Sequence, residues 1–166
     1  RGVGGVKVAG NYAADLLPNQ LSKKKGFPIG LYLDAATQTC IEEFSTSNFV
    51  GINNQAKTYV TPRSGSVLPS ITNKSLMQIA EDEGLKVEAR EVKIEELQDF
   101  DEVLAVGTAV VVTPVGSITK LGKEQHTYRF GDGEIGPTTR RLYDRVRAIQ
   151  NGEAEDVFNW NHKVDD

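Results

Sequence analysis

Apolar residues recur along this chain at two periods, and the period separates helices from strands. Ala13, Leu16, Leu17 and Leu21 stand at helical spacing and predict a helix over 11–25, which Pro18 either kinks or marks at its true start. Lys23, Lys24 and Lys25 suit the negative end of that helix dipole, and Gly26 is a stop. Leu76, Ile79 and Ala80 give the buried face of a second helix over 71–83, ended by Gly84. Leu142, Val146 and Ile149 mark a third, with Pro137 in its first turn and Asn151-Gly152 at its close. Shorter stretches read as strands. Residues 29–33 and 39–44 form one hairpin, and 48–52 and 57–61 another, turning through Asn53-Asn54-Gln55. Residues 85–92 alternate as a strand, 94–97 form a helical turn, and 102–106 and 110–113 are apolar strands on either side of Gly107-Thr108-Ala109. Residues 117–120 and 126–130 are short strands around a polar turn, and the tail around Trp160 is expected to pack. Val6-Lys7-Val8 reads as a short buried strand with Lys7 on the face opposite its valine neighbours. No internal repeat or low-complexity linker interrupts 1–166, so the expectation is a single domain of α+β class, built from antiparallel hairpins and a few helices.

Composition narrows the function classes. The chain has 166 residues, enough for one domain with a real core, and a net charge of −4, which gives no reason to expect nucleic acid or a membrane surface. No apolar run is long enough to span a bilayer. The single cysteine, Cys40, cannot form an internal disulfide and reads as a buried structural thiol. Nothing points to secretion; an intracellular, cytoplasmic setting is expected, although the sequence does not specify a compartment. His126 and His162 lack metal-ligand spacing, so no metal is expected. The chain opens on Arg1 without a methionine, in the middle of what reads as a functional segment, and is expected to be a processed chain or a fragment.

Four places could carry chemistry. Lys7 follows a glycine pair that permits close backbone approach; a partly desolvated amine there could attack a carbonyl, or the side chain could simply reach to water. Glu42 and Glu43 point to opposite faces of a strand, and the inward one must find a cation, either an internal side chain or a cofactor's ring nitrogen. Ser70-Ile71-Thr72 stands where a Gly/Ser/Pro loop enters a helix: its free N–H groups could bind an anion, or Ser70 or Thr72 could cap the helix. Gly107-Thr108-Ala109 either admits a ligand to the backbone or makes a bulge in a core strand.

In this order these segments resemble the branched-chain amino acid aminotransferases, pyridoxal-phosphate enzymes of class IV and fold type IV. The matching motifs are Gly4-Gly5-Val6-Lys7 with Gly10-Asn11-Tyr12, Ile41-Glu42-Glu43 with Asn48, Val60-Thr61-Pro62, Leu68-Pro69-Ser70-Ile71-Thr72, and Val106-Gly107-Thr108-Ala109 with Thr113-Pro114-Val115. Arg140 lies in a last helix similar to the family's. The resemblance implies the family's large C-terminal domain, an antiparallel-rich pseudo-barrel sheet with flanking helices. It also implies pyridoxal 5'-phosphate as cofactor and transamination of leucine, isoleucine or valine with 2-oxoglutarate. Lys7 would hold the cofactor as a Schiff base and move the proton. Tyr12 would bond the cofactor's phenolic oxygen, and Glu43 would pair with its pyridine nitrogen. The N–H groups of Ile71 and Thr72, with Thr108, would hold the phosphate, and Thr108 and Ala109 would receive the substrate carboxylate. Ser70 stands where many members have glycine, and Val110 and Thr113 where some carry a redox cysteine pair, so no thiol switch is expected. The chain has roughly half the family's usual length. An N-terminal domain, supplying an arginine and aromatic residues, and a homodimer would complete the enzyme. Two other readings are a D-amino acid aminotransferase or aminodeoxychorismate lyase of the same fold, and a non-catalytic fragment that associates with a partner.

Overall fold

The computed structural model describes residues 2–122 and 124–164. Three helices lie among them: α1 (Ala9–Lys24), α2 (Ile71–Asp82) and α3 (Pro137–Gln150). The strands are β1 (Leu31–Leu33), β2 (Ile41–Phe44), β3 (Ser47–Asn53), β4 (Thr58–Pro62), β5 (Lys86–Arg90), β6 (Glu102–Gly107), β7 (Val111–Pro114), β8 (Ser117–Lys120) and β9 (His126–Arg129). A 3-10 turn spans Ile94–Asp99.

β3 organises the larger sheet. β2 and β4 both pair with it, β2 at its start and β4 at its end, while β6 lies along the middle and β7 continues beyond β6. Each of these pairings is antiparallel, as is β1 with β2; β5 joins β4 in parallel, because α2 crosses back between them. β8 and β9 form a separate hairpin.

The strand period sorts the apolar residues of β3 and β6 onto two buried faces. Val50, Ile52, Leu104 and Val106 pack on the α2 and α3 side, with Leu76, Ile79, Leu142 and Val146. Phe49, Val103 and Ala105 pack on the other, with Val92, Leu97 and Phe100 around the 3-10 turn. Gly51 makes room for that turn: a Cβ on it would meet the Phe100 ring at 2.6 Å. The tail closes the first face, where Phe158 stacks on Trp160 with ring centroids 4.4 Å apart.

Glu102, 6% exposed at the start of β6, joins the sheet to α3. It accepts the Thr138 and Thr139 N–H groups at 3.1 and 2.8 Å, the Asn54 amide at 3.0 Å and the Thr139 hydroxyl. Burial opposes its charge, but the Thr139 hydroxyl and N–H, the Asn54 amide and the Thr138 N–H outweigh it and hold the carboxyl below its ordinary range. A carboxylate from a distant strand therefore satisfies donors that the start of α3 leaves free.

One sequence expectation fails at the N-terminus. Val6-Lys7-Val8 is not a strand: Gly4 and Gly5 form a turn, and α1 begins at Ala9. The Asn11 side chain donates to the Val3 and Val6 carbonyls at 3.0 Å each and ties that turn to the helix, overriding the strand preference of two valines. Pro18 lies inside α1, which runs through it. No residue of α1 is buried, and its half-covered side is the polar stripe Asn11, Asp15, Asn19 and Ser22. Leu16 and Leu17 are 66% and 64% exposed.

Candidate functional site

The register of the large sheet brings two of the motifs to one end. Glu43 pairs with Asn48 across β2 and β3, and Asn48 pairs with Val106 across β3 and β6, one residue before Gly107. Thr108, Ala109 and Val110 then form the turn that returns the chain as β7, closed by Gly107 opposite Val111. Gly107-Thr108-Ala109 is thus a hairpin end rather than a bulge in a continuous strand.

Val111 sets that turn. Its φ of 63° is left-handed, a conformation β-branched residues avoid, and the Val112 N–H donates to the Val110 carbonyl at 2.7 Å. Val111 is therefore the middle residue of a γ-turn of the strained hand. In a regular strand, neighbours face opposite sides; here Val111 and Val112 are both buried. Burying each valine contributes about 1.5–3 kcal/mol, which offsets a backbone cost of about 1–3 kcal/mol.

Glu43 is half-buried, as is Glu42, so neither is the plainly outward one. The Glu43 carboxylate accepts the Leu68 N–H at 3.3 Å and faces the Asn48 amide at 3.4 Å. Burial pushes its carboxyl above the ordinary range, the Leu68 N–H opposes that, and the charge of Glu42 adds to it. Among the described residues it makes no ion pair with a basic side chain. Glu42 instead accepts the Ser64 hydroxyl at 2.9 Å.

The same loop reaches α2 and the glycine turn. The Asn48 amide donates to the Leu68 carbonyl at 2.9 Å, fixing the approach to Ser70. Ser70 caps α2 by accepting the Asn73 N–H at 3.1 Å, which leaves the N–H groups of Ile71 and Thr72 at the helix start. A Cβ on Gly5 would lie 2.9 Å from the Gly65 carbonyl oxygen, and one on Gly4 3.0 Å from that of Ser66. That close approach docks the Lys7 segment on the loop whose far end bonds Glu43.

Lys7, Tyr12, Ile71, Thr108 and Ala109 are exposed; Glu43 and Thr72 are half-buried. Of the two local readings of Lys7, a desolvated amine or a side chain that reaches to water, this chain has the second. Cys40 is half-buried rather than buried, and the Lys93 ammonium donates to its sulfur at 3.0 Å. Arg140 sits on the exposed side of α3 against Asp144. A cavity of about 490 Å3 lies beside Glu102, Arg129 and Phe130, and none of the expected site residues lines it. No group of three histidine, cysteine or acidic side chains among the described residues could hold a metal. No helix among them is long and apolar enough to cross a membrane.

The donor set fits a pyridine ring bearing a phosphate. A half-buried carboxylate without a cation suits a protonated ring nitrogen, free helix-start N–H groups and a threonine hydroxyl suit an anion, and an exposed amine suits a carbonyl carbon. The buried Ser47 hydroxyl, which finds no partner among the described residues, lies beside Gly107 in the same corner. Sequence reading quoted Asn11 in a motif without a role and missed Asn73; both act through partners brought close only by folding.

Comparison with known proteins identifies relatives of the chain and of its fold. The family profile Amino-transferase class IV matches residues 5–118. The branched-chain-amino-acid aminotransferase of Haemophilus influenzae is 46% identical over 99% of this chain and 49% of its own length. The branched-chain amino acid aminotransferase structure from Escherichia coli superposes with a TM-score of 0.80 at 29% identity, covering 95% of this chain and 50% of that one. The branched-chain amino acid aminotransferase from Thermobaculum terrenum, solved in its PLP-form, gives a TM-score of 0.79 at 28% identity, over 94% of this chain and 48% of that one. The chain spans about half the length of the curated relatives it matches.

Proposed function

This chain belongs to the class IV aminotransferases, and from that membership we propose that it is the cofactor-binding part of a branched-chain amino acid aminotransferase, working with pyridoxal 5'-phosphate. The observation that carries the reading is Glu43: a half-buried carboxylate with no basic partner among the described residues, bonded to the loop that leads into α2 and paired with Asn48, which in turn pairs with the end of β6. Pyridoxal phosphate, when bound, supplies an electron sink for negative charge at the substrate's α-carbon.

The residues then have separate tasks. Lys7 Nζ holds the cofactor and carries the proton to and from the reacting carbon. Glu43 keeps a proton on the pyridine nitrogen, because a paired cation makes its own ionised form favourable. The Tyr12 hydroxyl bonds the phenolic oxygen. The N–H groups of Ile71 and Thr72, with the Thr108 hydroxyl, hold the phosphate. Thr108 and Ala109 receive the substrate carboxylate. The exposed state of five of these seven residues supports a site completed by a second unit, the counterpart of the other half of the relatives, within a homodimer. The substrates are leucine, isoleucine or valine with 2-oxoglutarate, a choice supported by the names of the relatives over D-amino acid transfer or aminodeoxychorismate cleavage.

Borohydride trapping tests the reading. The chain is mixed with pyridoxal phosphate, reduced, digested and mapped by mass. A pyridoxyl mass on the Lys7 peptide, lost in Lys7→Ala, is expected. Equal labelling of Lys23, Lys24 and Lys25, unchanged by Lys7→Ala, would overturn it.

A further inference from the structure

A hydrogen-bonded chain runs from the middle of the sheet into the first turn of α2. The Thr61 hydroxyl on β4 donates to the Phe49 carbonyl on β3 at 3.1 Å and accepts the Asn73 amide at 3.0 Å. The Tyr59 hydroxyl, also on β4, donates to the Asn73 side-chain oxygen at 2.6 Å. Asn73 is thus gripped at both ends of its amide, while its backbone N–H bonds the Ser70 side chain at 3.1 Å. Tyr59 is fully buried and Thr61 is 4% exposed. Burial alone pushes the Tyr59 phenol far above its ordinary range, so it stays a neutral donor.

This arrangement exceeds what a cap requires. Ser70 alone satisfies the Asn73 N–H, and that one bond is what a serine cap supplies. Two strand side chains clasping one planar amide fix its rotation as well as its position. We propose that Asn73, clasped by Tyr59 and Thr61, is a positioning residue that aims the free N–H groups of Ile71 and Thr72 at the phosphate of the bound cofactor. The inference rests on the phosphate role assigned above to those two groups. Asn73 touches neither cofactor nor substrate in this role; it acts through the helix start.

The test compares two probes that differ only in the phosphate. Pyridoxal phosphate and pyridoxal are titrated against the wild-type chain, Tyr59→Phe and Thr61→Val, with binding read from borohydride-trapped label. Amide hydrogen exchange at Asn73 and Lys74 is followed without ligand. In each variant the loss of its one hydrogen bond to the Asn73 side chain should weaken pyridoxal phosphate binding by about 5- to 10-fold, with Thr61→Val also losing the bond to the Phe49 carbonyl. Pyridoxal should change less than about 2-fold, and exchange at Asn73 should quicken by a similar 5- to 10-fold. Equal loss for both probes, or unchanged exchange at Asn73, would overturn the positioning role and leave the clasp as ordinary packing support. Wild-type chain that labels equally with both probes, while exchange at Asn73 still quickens in both variants, would instead overturn the phosphate assignment, and the aiming role with it. Two variants guard against a folding defect peculiar to one of them.

Discussion

At the scale of the residue, Glu43 ties the fold to the site. Burial raises its carboxyl above the ordinary range, so the folded chain holds a proton there that the unfolded chain releases. The sign follows: this contribution to stability is full below the unfolded value and is lost as pH rises through the folded one. Glu43→Gln removes it. Thermal unfolding of the ligand-free chain, followed upward from about pH 4, should therefore show wild type losing stability relative to Glu43→Gln across that window. Parallel pH profiles would show that Glu43 is solvated like any surface glutamate. The strand motif Ile41-Glu42-Glu43 was readable in the sequence and the family resemblance singled out Glu43, but strand alternation alone did not show what surrounds its carboxylate. That depends on the Leu68 N–H and the Asn48 amide, 25 and 5 residues away along the chain.

At the scale of the element, α3 shows where pattern reading stops. Pro137, Leu142, Val146 and Ile149 announce the helix, and the structure has it at Pro137–Gln150. Its anchor was invisible, because Glu102 lies 36 residues before the Thr138 N–H it accepts. Gly136 is part of that anchor: a Cβ there would collide with the Glu102 carboxyl group, which its donors prevent from turning aside. Gly136→Ala should cost about 1–3 kcal/mol, read as a lower urea midpoint with an unchanged slope. An unchanged midpoint would mean that Glu102 moves freely. The hairpins were legible for the opposite reason, since their turns and alternating faces are local. Val6-Lys7-Val8 misled because its local preference for a strand yielded to the Asn11 side chain and to the docking of Gly4 and Gly5 on the loop.

At the scale of the whole molecule, α1 turns its apolar side outward. The helical spacing of Leu16, Leu17 and Leu21 predicted the helix correctly and said nothing of what covers it. Here Tyr12, Leu16, Leu17 and Leu21 are 48%, 66%, 64% and 51% exposed, while the polar stripe is half-covered. Contiguous apolar surface of this kind favours association. The chain alone should sediment as a concentration-dependent oligomer, and the double variant Leu16→Ser, Leu17→Ser should shift it toward monomer. A wild-type chain that remains monomeric at high concentration would refute this. The α+β architecture was thus readable from period and turns, whereas the outward side of α1 was not, because a periodic face looks the same whichever way it points.

The γ-turn at Val111 has a consequence for how such a site can change over generations. The shape of the 108–110 turn is secured by two valines in the core, not by the three exposed residues at its tip. Replacements at Ala109 and Val110 can therefore alter what the tip offers a ligand while the frame beneath it, and the Thr108 hydroxyl assigned to the phosphate, stay put. Selection for a new substrate would meet little resistance there, and much more at Val111 and Val112.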